Sequence, residues 1–191
     1  MKNKNIILIS LSAITAAFII YKLLKKPSPA KENAKKSNNI ILIGGLDTRK
    51  GDKNINEQIE LVKKGINGSY NVEGFRYTDL NGALNALNKT PNSYVLLFSA
   101  GCVHAEKVAK KLKELNQNLS NLYIAEPYNA GATTKSVQNA VSLGVPQSNV
   151  YVGSSSGTGV GIVSNPSKTP KCSPNHWCAL TEVTKIITTK N

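Results

Sequence analysis

The run Tyr94-Val95-Leu96-Leu97-Phe98-Ser99-Ala100-Gly101-Cys102-Val103-His104-Ala105 decides the fold. Its first five residues are apolar and span one strand; small residues follow. From Val103 onward, Val108, Leu112 and Leu115 recur at helical spacing. A buried strand that passes through a tight turn into a helix is the unit of a parallel sheet, because each parallel return needs a long crossover. Ser99 stands at the joint of that unit. A sharp turn there lifts the hydroxyl clear of the sheet and aims the opening N–H groups of the helix at developing negative charge.

The same alternation extends to both sides. Residues 40–43, 72–77, 122–125 and 150–152 read as strands, short and rich in β-branched or aromatic residues. Residues 56–64 carry Ile59 and Val62, residues 79–87 carry Leu80, Leu84 and Leu87, and residues 133–143 carry Val137, Ala140 and Val141. Residues 178–188 add Leu180, Val183 and Ile187, so each helix turns one apolar face to a core. The expected fold is α/β: a mostly parallel sheet of about five strands with helices on both faces, preceded by one N-terminal transmembrane helix. Ligands of such sheets gather at the carboxyl ends of the strands. Ser99 follows the third strand, Glu126 ends the fourth, and His176 sits in the loop after the fifth, just before the last helix.

The segment from Phe98 to Ala105 resembles the F-S-A-G-G-H-x-A nucleophile elbow of esterases in the α/β-hydrolase superfamily. Leu97 stands where those enzymes have a leading glycine, and Cys102 where they have a second trailing one. The order serine, acid, histidine is also that of the superfamily. The resemblance covers roughly residues 40–190, in a compact version like that of cutinase-type esterases, and implies a serine hydrolase that cleaves an ester or related acyl bond. Ser99 is then the nucleophile, His176 the base, and Glu126 the carboxylate that orients it, with Asp47, Asp52 and Glu182 as alternatives. The oxyanion hole falls to the N–H of Ala100 with one from Gly45 or Leu46, in the glycine turn that ends the first strand.

Each residue also has a plainer reading. Ser99 suits a helix cap, and Gly44-Gly45 suits an ordinary turn. His104, one turn into the elbow helix, reads as exposed or capping. Cys102 is an alternative nucleophile if a helix N-terminus lowers its pKa, and otherwise a small apolar core residue. The glycine run 153–161 lacks the lysine of a phosphate-binding loop and the spacing of a dinucleotide fingerprint, so it reads as a loop over the site. No cofactor is expected. Two histidines and a lone Cys172-x5-Cys178 make poor zinc spacing, so no metal is expected either. Those two cysteines bracket His176 at a spacing that could close a small disulfide in an oxidising compartment.

The chain has 24 basic and 11 acidic residues, a net +13, and eight lysines against one glutamate precede residue 37. More than half of the net charge therefore lies beside the nearly uncharged apolar segment 5–21. That segment reads as an uncleaved single-pass anchor, with a cleaved signal peptide as its rival. Lysine, proline and serine after it read as a tether attracted to anionic headgroups. The divisions expected are an anchor over 1–24, a basic linker over 25–38 and a hydrolase-like domain over 39–191. The partners expected are a lipid bilayer and a small-molecule or acyl substrate. A nucleic-acid groove is not indicated, since the domain has few aromatics and no basic stripe among them. The side of the membrane is open: the trailing lysines favour the cytoplasm, whereas a signal anchor would export the domain. Two readings compete with the hydrolase: a structural or partner-binding membrane protein with a degenerate hydrolase-like fold, and a Rossmann-like nucleotide module using the glycine run.

Overall fold

The computed structural model describes residues 38–47, 52–128, 130–153, 161–170, 172 and 175–190. The chain divides into two units, Met1–Lys35 and Lys36–Asn191, and the architecture below is that of the second. The anchor expected over residues 5–21 lies outside the described residues, as does the linker up to residue 37. Among the described residues no helix is long and apolar enough to cross a membrane.

The unit is an α/β fold around a parallel sheet. Its strands are β1 (Asn39–Ile43), β2 (Asn71–Phe75), β3 (Tyr94–Phe98), β4 (Leu122–Ala125), β5 (Val150–Val152) and β6 (Ser167–Lys168), in the order β2-β1-β3-β4-β5-β6. Every pairing is parallel, with Ile43 opposite both Phe75 and Leu97, and Phe98 opposite Ala125. About five strands were expected, and the described residues form six. β6 is two polar residues at the sheet edge, held by backbone pairing of Ser167 with Tyr151 and Lys168 with Val152. It carries no apolar pattern, so His176 follows the sixth strand and not the fifth.

Two layers of core explain why the inner strands read as unbroken apolar runs. Ile41, Ile43, Val95, Leu97, Leu122 and Ile124 face one core, together with Ala83 and Leu87 of α2 (Leu80–Lys89), Val108 and Leu112 of α3 (Ala105–Glu114), and Val137 and Ala140 of α4 (Gly131–Ser142). Alternate residues Ile40, Leu42, Tyr94, Leu96, Phe98 and Tyr123 face the other, with Val62 of α1 (Ile55–Gly65) and Leu180, Val183 and Ile187 of α5 (Cys178–Thr189). Helices thus cover both faces.

Element boundaries follow local chemistry. Asn54 caps α1 through a capping box with Glu57. β2 stops at Phe75 because Tyr77 and Thr78 turn into Asp79, which accepts the Gly82 N–H and caps α2. Between β3 and α3 the chain makes a tight 3-10 turn over Ser99–His104.

Leu97, fully buried in the first core, occupies the position at which the resembled elbow has a glycine. Leu97→Ala is expected to lower the unfolding free energy by about 2–5 kcal/mol in chemical denaturation, the usual cost of an enclosed cavity. A loss below about 1 kcal/mol would mean that the strand is not enclosed on both faces.

Candidate functional site at the carboxyl ends of the strands

From β1 the chain crosses to β2 through α1 on one face, and from β2 to β3 through α2 on the other. Strand order therefore reverses between β1 and β3, which is where open α/β sheets leave a crevice for a ligand. The loops at that crevice are Gly44–Asp47 and the turn that begins at Ser99.

Ser99 has φ 50°, in the left-handed region, a conformation that costs a non-glycine residue about 1–3 kcal/mol and persists only where surrounding structure enforces it. The enforcing contact is visible two residues later. A Cβ on Gly101 would collide with the backbone oxygens of Ile43 and Gly44, so the turn is pressed onto the end of β1. Gly45 backs onto Ser99 in turn: a Cβ placed there would lie 2.9 Å from that of the serine. Ser99 is half-buried, and its hydroxyl has no hydrogen-bond partner among the described residues.

The β1 loop corrects one expectation. The Gly45 N–H donates to Gln58 Oε1 at 2.9 Å, and Gln58 Nε2 donates to the Lys53 carbonyl at 2.7 Å. Gly45 is therefore not a spare donor for an oxyanion, and Leu46 is the remaining candidate from this loop beside Ala100. Asp47, next along, pairs with Arg76 Nε at 2.5 Å and ties the loop to the chain leaving β2.

His176 lies against the residue that precedes the serine. Its ring stacks on Phe98 with centroids 5.5 Å apart and planes 4° from parallel, and Trp177 packs at 4.6 Å. Burial lowers its pKa, opposed by the negative charge of Asp52. The imidazole is consequently neutral at pH 7, with a lone pair available as a base. Of the alternative carboxylates, Asp47 is held by Arg76, and Glu182 pairs with Lys185 at 2.8 Å. Asp52 is the one whose charge acts on the ring.

Glu126 is 1% exposed, with φ 48°. Its N–H donates to the Tyr151 carbonyl at 2.8 Å, its carboxylate accepts the Thr169 hydroxyl at 2.9 Å, and Gly153 packs closely against it. It joins the loops after β4, β5 and β6. The Tyr128 N–H then donates to the Ser99 carbonyl at 3.5 Å, linking the loop after β4 to the turn after β3.

Cys102 is fully buried in the first core, its Sγ 3.6 Å from the Ala125 carbonyl. Burial, reinforced by the Glu126 charge, pushes the thiol far up and keeps it protonated, so its part here is packing. His104 is half-buried rather than exposed: its Nε2 lies 2.6 Å from the Tyr77 carbonyl, which makes that nitrogen the protonated one, and burial lowers its pKa. Cys172 and Cys178 form a disulfide. The loop expected over the glycine run lies, for residues 154–160, outside the described residues. Among the described residues no group of three or more His, Cys, Asp or Glu could hold a metal.

Sequence reasoning missed Gln58, although a signal existed. It lies three residues after Ile55 and four before Val62, a polar side chain on the apolar stripe of α1. Comparison with family models, curated proteins and solved structures yields no match to this chain.

Gly101→Ala is expected to cost about 1–3 kcal/mol, because a methyl group must be forced between two backbone carbonyls. Gly131→Ala, at the start of α4, is the control. A Cβ there meets nothing within 4 Å, so the change is expected to be neutral or stabilising by up to about 1 kcal/mol. Equal denaturation midpoints for Gly101→Ala and the parent chain would contradict the close approach.

Proposed function

We propose that this is a serine hydrolase of the α/β-hydrolase type, acting on an ester or related acyl bond and tethered to a membrane by its N-terminal segment. The observation that carries the reading is Ser99 in a strained left-handed turn at the switch between β1 and β3, its hydroxyl without a hydrogen-bond partner among the described residues and a neutral imidazole packed on the residue before it. Strain at such a turn is what a nucleophile elbow requires. Nothing in a mere helix cap calls for it, and a capping serine would use its hydroxyl.

In this reading Ser99 Oγ attacks the acyl carbon while His176 takes the hydroxyl proton. The oxyanion so formed is met by the N–H groups of Leu46 and Ala100. As the carbonyl re-forms, the leaving group departs with the proton returned from His176, and water repeats the sequence to release the acid. Asp52, whose charge opposes the burial of the imidazole, stabilises the imidazolium as it forms. Glu126 is then a frame residue holding three loops together. The disulfide favours an oxidising compartment for the domain, and the basic stretch after residue 21 favours an anionic bilayer surface.

A fluorophosphonate probe is expected to label the folded protein at Ser99. Labelling should vanish in Ser99→Ala, fall by about 10²–10⁴-fold in His176→Ala, and survive in Cys102→Ser. The pH profile carries a sign: protonation removes the base, and burial holds its pKa below the usual value of about 6.5. The acid limb of labelling should thus have its midpoint below pH 6.5. Folded protein that takes no probe and cleaves no short-chain ester would favour a structural role, and labelling lost only in Cys102→Ser would move the nucleophile to the thiol.

A further inference from the structure

The segment that carries His176 is fastened at both ends. On one side, the Thr169 N–H donates to the Val152 carbonyl at 3.0 Å and the Thr169 hydroxyl to buried Glu126 at 2.9 Å. On the other, α5 begins at Cys178 and sinks Ala179, Leu180, Val183 and Ile187 into the second core. Cys172 is buried in that same core and is bonded to Cys178 across a sequence separation of 6, with Cα atoms 5.6 Å apart. His176 lies inside the ring this bond closes. Its carbonyl accepts the Ala179 N–H at 3.1 Å, and its imidazole stacks on Phe98 with Trp177 tilted against both rings.

A cross-link over so short a stretch removes much less unfolded-chain entropy than one that closes a long loop. Although Cys172 packs into the second core, the strand pairings of the sheet do not pass through the bond. Its mechanical effect falls on the few residues it encloses, and the one with acid–base chemistry is His176.

We propose that the Cys172–Cys178 disulfide is a positioning clamp for His176, holding the imidazole stacked on Phe98, the residue before Ser99, and that reduction by a dithiol frees the histidine and silences Ser99 while the sheet stays folded. The consequence at Ser99 rests on the hydrolase reading; the clamp on the ring does not. In the exchange a reductant thiolate attacks one protein sulfur, with Cys178 the less buried of the two. The second thiol of the reductant then resolves the mixed disulfide. The protein gains two electrons and two protons as a pair of thiols, and the reductant leaves as its own disulfide. Cys102 takes no part, being enclosed in the other core.

The test uses the full 191-residue chain in mild detergent, oxidised, then reduced with dithiothreitol without oxygen, then reoxidised. Two readouts are followed: the rate of fluorophosphonate labelling at Ser99, and the NMR titration of isotope-labelled histidine, with His104 as internal reference. On reduction, labelling is expected to slow about tenfold or more, a fraction of what a positioned base supplies. The His176 titration should move up toward its ordinary value of about 6.5 as the ring leaves its stack. That of His104 should stay, and reoxidation should restore both readouts. Equal labelling rates with an unmoved His176 titration would overturn the clamp, as would loss of far-ultraviolet circular dichroism on reduction. No labelling in either state, with the His176 titration still moving, would overturn the hydrolase reading and leave the clamp standing. A Cys172→Ser, Cys178→Ser double variant should reproduce the reduced state.

Discussion

The structure depends on one close approach, that of Gly101 to the last carbonyls of β1. With no room for a Cβ between them, the turn after β3 is clamped onto the turn after β1, and two further features follow. Ser99 is forced to positive φ, and no side-chain cap hydrogen bond forms at the start of the turn or of the helix after it. Gly45, in the loop after β1, is brought against Ser99. A strained residue survives only where its surroundings over-determine it. Here they do so through backbone, which cannot step aside as a side chain can.

Around that junction the protein controls proton affinity by burial. His176 and His104 are both made less basic by their enclosure, but to different ends. His104 spends a ring N–H on the Tyr77 carbonyl and joins α3 to the turn before α2. His176 is held by aromatic faces, an arrangement that fixes the plane of the ring and leaves its nitrogens to other partners. Cys102, three residues after Ser99 in the same turn, is withheld from chemistry by the same burial. Gln58 and Glu126 apply a complementary rule. Each is a buried polar group whose hydrogen bonds join segments distant in sequence, and such groups are costly unless fully partnered.

Much of this was legible in the chain. The apolar runs at 94–98 and 122–125 gave buried strands because both faces of a central parallel strand are covered. The spacing in 103–115 and 178–188 gave the helices. β6 was not legible, since two polar residues at an edge are joined by backbone pairing and the Ser167 hydroxyl's bond to the Ser148 carbonyl, which leave no apolar pattern. The use of the Gly45 N–H by Gln58 was hidden for a related reason: a donor's availability depends on what packs over it from elsewhere in the chain. The carboxylate that acts on His176 was hidden too. Chain order favoured Glu126, with Asp52 among the alternatives, and only the course of the loops separates a carboxylate whose charge reaches the ring from one enclosed by Thr169 and Gly153.

The most direct measurement is a crystal structure of the protein after reaction with a phosphonate ester. The account predicts phosphorus bonded to Ser99 Oγ, the phosphonyl oxygen about 3 Å from the N–H groups of both Leu46 and Ala100, and a His176 nitrogen about 3 Å from Oγ. An adduct on any other residue, or one on Ser99 with His176 more than about 10 Å away, beyond any direct proton transfer, would contradict it.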